Sequence, residues 1–246
     1  MDGSTLLVVV LASFAGALVK AVTGMGYPVI AVPLISLVLG IEEAVVLVAL
    51  PNFGANAFLW FEARDAQPET RDLWGVVGPG IVGAVVGTTA LVRVPEEPLL
   101  LGLAAMVLVF VFVFVRHPTL RLTARATRRG APIVGVAVGL AQGAVGVSGP
   151  LVATWFHGYR LAPRAYIRSI TFVFGVTGLT QIVVLLARGE FTTDRIVGAV
   201  AAAVPVVLAT ALGLRLRRAL AGPAFERAVL AVLAISAVSL VLDALA

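Results

Sequence analysis

Apolar positions in this chain come in long, nearly unbroken runs, and polar residues gather in the short intervals between them. A helix that crosses a bilayer needs about 20 mostly apolar residues. Six runs meet that length: residues 44–61, 73–92, 98–115, 166–187, 196–216 and 225–245. Two further stretches, 5–40 and 130–159, are too long for one ordinary span. Both are interrupted near the middle, by Thr23-Gly24-Met25-Gly26-Tyr27-Pro28 in the first and Gly146-Val147-Ser148-Gly149-Pro150 in the second. Glycine weakens a helix and proline cannot continue one from the residues before it, so each stretch is predicted to split into two half-helices.

Arginine placement tests this division. Segment 116–130 carries Arg116, Arg121, Arg125, Arg128 and Arg129 with no acid, and Arg215, Arg217 and Arg218 form a second basic group. Loops rich in arginine stay on the cytoplasmic side. The two groups share a side only if 130–159 enters the membrane and turns back, which also brings Arg160, Arg164 and Arg168 to that side. Treating 5–40 in the same way puts both termini outside. Each half, 1–125 and 126–246, is then a broken hairpin plus three spans. An odd number of crossings inverts one half relative to the other, an architecture of secondary transporters. The predicted fold is an all-α polytopic membrane protein of two inverted repeats forming one transmembrane domain.

An offset of 122 residues superimposes the broken stretches without a gap. Leu18 falls on Leu140, Lys20 on Gln142, Gly24 on Gly146, Gly26 on Ser148 and Pro28 on Pro150, and the segment 51–56 lies over 173–178. Composition adds to this picture mainly by exclusion. Of 246 residues, 60% are hydrophobic and 13% charged, with a mean hydropathy of +1.07. Soluble domains carry about a quarter charged residues, so bilayer is the fitting solvent. The net charge of +5 is mostly arginine in connecting segments, which marks topology and does not make a nucleic-acid-binding face. Cysteine is absent, and His117 and His157 lie far apart, so no metal, cofactor or thiol chemistry is implied.

Gly16, Gly24, Gly26, Pro28 and Pro33 in the first half, with Gly139, Gly143, Gly146, Gly149 and Pro150 in the second, make the chain resemble the TauE/SafE family of sulfite and organosulfur-anion exporters. That resemblance implies two homologous halves, each opening with a glycine-rich broken segment that runs into a proline, and an anion as cargo. Alanine- and arginine-rich usage points to a bacterial origin, and with it a plasma-membrane location.

The candidate site follows from the breaks. Pro28 and Pro150 suit the first helical turn, where the missing N–H costs nothing. The other first-turn N–H groups have no intrahelical partner, and the helix dipole makes them attractive to an anion. The expected substrate-binding set is Thr23, Gly24, Met25, Gly26, Tyr27 and Pro28 with Gly146, Val147, Ser148, Gly149 and Pro150, the hydroxyls of Thr23 and Ser148 adding donors. Lys20, the sole lysine, either attracts the anion or snorkels to an interface. Asn52 and Asn56, Thr177 and Gln181, and Gln142 either line the path or bridge helices. The glycines either receive cargo or permit tight packing. Arg168, Trp155, His157 and Tyr159 are expected at the interface. The expected partners are a small anion and membrane lipid, with homo-oligomerisation left open. The alternatives are an intramembrane enzyme acting on a lipid headgroup, or a non-transporting subunit. The first lacks an evident acid/base or metal constellation.

Overall fold

The computed structural model describes residues 3–24, 26–66, 72–116, 122–220, 231, 234–235, 237–239 and 241–242. The expected final span at 225–245 lies largely outside the described residues, as do Met25, His117, Arg121 and both termini.

Nine helices are described with their bounds: α1 (Gly3–Thr23), α2 (Tyr27–Leu39), α3 (Ile41–Glu62), α4 (Leu73–Leu91), α5 (Glu96–Arg116), α6 (Ala124–Val145), α7 (Gly149–His157), α8 (Pro163–Ala187) and α9 (Thr193–Leu220). No strand occurs among the described residues. Among the described residues, five helical segments are long and apolar enough to cross a membrane: Gly3–Val22, Ile41–Glu62, Leu73–Leu91, Pro163–Ala187 and Thr193–Leu216. The protein is a polytopic all-helical membrane protein.

Both over-long stretches break where glycine and proline predicted, but not into equal halves. At 1.5 Å per residue, α1 is about 31 Å long and α6 about 33 Å, while α2 and α7 are about 20 Å and about 14 Å. Each hairpin therefore pairs a helix of full membrane length with a short return. The reason is that α1 and α6 begin before their apolar stretches, at Gly3 and Ala124, while α2 and α7 end just inside them, at Leu39 and His157. In the second hairpin the helix also starts six residues earlier than expected, because Thr123 caps it, its hydroxyl accepting from the Ala126 N–H at 3.3 Å. Arg125, Arg128 and Arg129 accordingly belong to the first turns of α6 and not to a loop.

Contacts at the two ends of the molecule fix how the chain doubles back. At one end, Arg195 at the start of α9 binds Glu42 and Glu43 at the start of α3 (2.7 and 2.6 Å) and Glu190 (2.6 Å). Glu96 there accepts from the Ile41 N–H at 2.7 Å. At the other end, Arg164 at the start of α8 binds Asp65 and Glu62 beyond and at the end of α3 (2.6 and 3.4 Å). The Arg164 guanidinium holds the Asp65 carboxyl below its ordinary range by hydrogen bonding to it. Arg168 donates to the Ala63, Arg64 and Ala66 carbonyls, closing the C-terminal end of α3, and it lies over Trp60.

The second hairpin begins and finishes at the Arg164 end. The Leu122 N–H donates to the Gly158 carbonyl at 3.0 Å, and Gly130 lies against the Trp155 ring. Its turn reaches towards the Glu42 end, where Gly146 faces Val45 and Val32. The first hairpin does the opposite. Its turn residue Gly24 faces Ile167 and Ile170 near the start of α8, and α2 returns to Gly40 beside Glu96.

Each long hairpin helix packs on a distant partner, α6 on α4 and α1 on α9. The α4–α6 seam is glycine on both sides. A Cβ on Gly83, Gly87, Gly135, Gly139 or Gly143 would overlap backbone of the facing helix, so the two helices run backbone to backbone as small-residue membrane seams do. In the α1–α9 seam, Gly213 faces Ala21 and the Leu18 carbonyl.

Candidate functional site

The turn of each hairpin brings a short helix back to the same depth from opposite ends. α2 runs about 20 Å back to the Glu42 end and α7 about 14 Å back to the Arg164 end. The first turns of α2 and α7 come together among buried residues. They share a small cleft lined by Lys20, Gly26, Pro28, Val29, Asn52, Gln142, Ser148, Gly149 and Phe174.

Local sequence explains each end. Gly26 precedes α2 with φ +127°, a conformation that L side chains rarely adopt, and a Cβ there would come 2.7 Å from the Val19 side chain. Gly146, at φ +68°, ends α6 in the left-handed region and its N–H bonds the Gln142 carbonyl at 3.0 Å. Gly26 and Ser148 are the capping residues of α2 and α7, and their carbonyls accept the first intrahelical bonds from Ile30 and Val152. No side chain caps either helix, and each has proline in its first turn. What remains at both ends is a set of backbone N–H donors with the positive end of a helix dipole behind it.

Lys20 is 1% exposed. Its Nζ donates to Asn52 Oδ1 at 3.1 Å and lies 5.4 Å from the centre of the Phe174 ring, so it turns into the cleft and does not snorkel. Asn52 Oδ1 also accepts from Asn56 Nδ2 at 3.4 Å, and Asn56 Oδ1 is buried with no partner. Across the cleft the polar groups bind one another. Gln142 Nε2 donates to Gln181 Oε1 at 3.0 Å, Ser148 Oγ donates to Gln142 Oε1 at 2.8 Å, and Gln181 Nε2 donates to the Gln142 carbonyl at 2.8 Å. The Ser148 hydroxyl, expected as a free donor, is thus already engaged.

These contacts sort the expected site residues. Lys20, Gly26, Pro28, Asn52, Gln142, Ser148 and Gly149 come together around the cleft. The others do not line it. Gly24 packs on Ile167 and Ile170, and Gly146 on Val45. Tyr27 turns to Ser13 (3.4 Å), and Val147 joins the apolar core. Thr177 bonds the Val173 carbonyl of its own helix at 2.8 Å. Gln181 acts through Gln142, Asn56 through Asn52, and Pro150 is buried in the first turn of α7. The Thr23 side chain and Met25 lie outside the described residues. Val29 and Phe174 line the cleft without having been singled out. Phe174 carried a signal, since the offset of 122 places it on Asn52.

The model of the sulfite exporter TauE/SafE family matches residues 8–240. The chain belongs to that family. No curated protein and no solved structure matches this TauE/SafE chain. No carboxylate lines the cleft, two helix N-termini and one amine do, and its volume is about 10 Å³. That is room for about one water, less than an oxyanion needs. No group of His, Cys, Asp and Glu among the described residues is arranged to hold a metal.

Proposed function

We propose that the protein is a secondary transporter that exports a small anion, such as sulfite, a sulfonate or another organosulfur or organic anion, by alternating access. Membership of the sulfite exporter family makes it a membrane transporter of the anion-exporting type. The cargo, its site and the mechanism are the reading offered here.

One observation carries it: two uncapped helix N-termini converge on the only lysine of the chain, with no acid beside them. Backbone N–H groups that cannot turn to lipid or water are costly in a membrane interior, and an oxyanion satisfies several at once. A cation would meet like potential from both helix ends. The two halves, 1–125 and 126–246, act in this reading as inverted repeats. The equal spacing of 122 residues between the starts of α2 and α7, and of α3 and α8, supports it, as does their approach from opposite ends. Such repeats rock around a fixed midplane site. The arginines at the Arg164 end support a reading in which that end faces the cytoplasm of a bacterial cell and the termini lie outside.

The test is binding followed by flux. Purified protein is heated with sulfite, sulfate, alkylsulfonates and carboxylates, and a bound anion raises the melting temperature with the logarithm of its occupancy. Sulfite or a sulfonate is expected to stabilise and to move into proteoliposomes. Folded protein that neither binds nor moves any of these anions ends the reading.

A further inference from the structure

We propose that Lys20 is the proton-binding group of the transport cycle, neutral in the closed cleft and protonated when the anion arrives, so that anion and proton cross together. The inference rests on the reading above and adds the coupling to it.

The geometry supplies opposed influences on one amine. Dehydration in a closed cleft and the positive ends of α2 and α7 disfavour the ammonium form. The Asn52 carbonyl oxygen, the Phe174 ring face and the closing turn of α1, in which Lys20 lies, favour it. No formal charge decides between them. α1 and the turn up to Gly26 contain no other titratable residue. α2 contributes only Tyr27, whose hydroxyl faces Ser13. Glu42 and Glu43 stand about 14 Å along α3 from Asn52, and Glu62 about 15 Å beyond it; the first pair is held by Arg195 and the last by Arg164. Arg125, Arg128 and Arg129 begin α6 and His157 ends α7. Arg164, Tyr166 and Arg168 lie in the opening turns of α8, and Asp194, Arg195 and Arg215 near the ends of α9. None of them lines the cleft.

An oxyanion entering this cleft brings the missing counter-charge. The Nζ lone pair takes a proton from water on the loading side, only an N–H bond being made. The pair crosses as ammonium and anion, and the proton returns to water when the anion leaves. A lysine permanently paired with a carboxylate could not cycle in this way, and a fixed cation would exchange anions without moving a proton. The uncharged Asn52 leaves both steps open.

The experiment uses the intact purified protein and sulfite, with Lys20→Arg as the variant, because arginine keeps its charge at every relevant pH. Binding is followed from about pH 7 to about pH 9, with proton uptake read by a pH dye in weak buffer and sulfite's own titration subtracted. Wild type is expected to take up about one proton per anion on the alkaline limb, and its affinity to fall about tenfold per pH unit there. Lys20→Arg is expected to bind without proton uptake, and in proteoliposomes to keep sulfite counterflow while losing accumulation driven by a pH gradient. Wild type that binds sulfite with no proton uptake overturns the inference and leaves the anion site standing. So does a Lys20→Arg protein that still accumulates sulfite on a pH gradient. If Lys20→Arg does not fold or bind, the wild-type stoichiometry decides alone. Wild type that binds no sulfite removes the functional reading itself.

Discussion

The two hairpins share one plan and differ in how tightly they are held. α6 lies backbone to backbone on α4 along a seam of glycines. Its cleft-facing Gln142 is bonded to Ser148 and Gln181, with the Gln181 amide returned to the Gln142 carbonyl. α1 packs on α9 with fewer backbone approaches. Its cleft-facing residue is Lys20, held by a single carbonyl oxygen and a ring face, and the neighbouring Asn56 leaves an acceptor unpaired. The second hairpin is built as a fixed wall. The first carries the ionisable amine and keeps its polar groups under-bonded, which suits the proposed role of responding to cargo.

The strongest way to break this contrast is to strike the seams. Gly139→Leu drives a side chain into the Gly80 backbone, which cannot yield. Monodisperse protein is expected to disappear on fluorescence-detected gel filtration. Gly213→Ala meets mainly the Ala21 methyl at 2.6 Å and is expected to give folded protein melting a few degrees lower, within the about 1–3 kcal/mol of overpacking. Next in size, Lys20→Gln is expected to weaken sulfite binding about 100-fold, the loss of a close ion contact, with the melting temperature of the unliganded protein nearly unchanged. Gln142→Leu reverses that balance. It strands the Ser148 hydroxyl and the Gln181 carbonyl oxygen, so stability should fall by about 2 kcal/mol while sulfite affinity drops less than in Lys20→Gln. The smallest effect belongs to Asn56→Leu. Removing an unpaired buried carbonyl oxygen together with a long 3.4 Å bond should leave the melting temperature level or slightly raised. Equal losses in Lys20→Gln and Gln142→Leu by both measures would erase the proposed difference between hairpins.

Much of the fold was legible because glycine and proline punctuate it. Gly26-Tyr27-Pro28 and Ser148-Gly149-Pro150 open α2 and α7 at the residues where the breaks were expected. The unequal lengths were not legible, since an apolar run carries no mark of where the bilayer ends. The start of α6 is hidden in the sequence by three arginines that have the composition of a loop, although Thr123 in front of Ala126 is a capping signal. In the site, spacing placed Lys20, Gln142, Asn52 and the two helix starts together. It also drew in Gly24, Gly146, Val147 and Thr177, which pack elsewhere: the first three sit in the hairpin turns outside the helices, and Thr177 bonds the Val173 carbonyl of its own helix. Phe174 went unnoticed for want of polar character, and the repeat offset would have pointed to it.

The solitary lysine has a practical consequence. Apart from the α-amino group, Lys20 is the only primary amine in the chain, and there is no thiol at all. An amine-directed reagent therefore has one internal target, sealed beneath the first turns of α2 and α7. The rate at which that target is acylated counts how often the two turns separate, so the molecule can report its own opening with no engineered label.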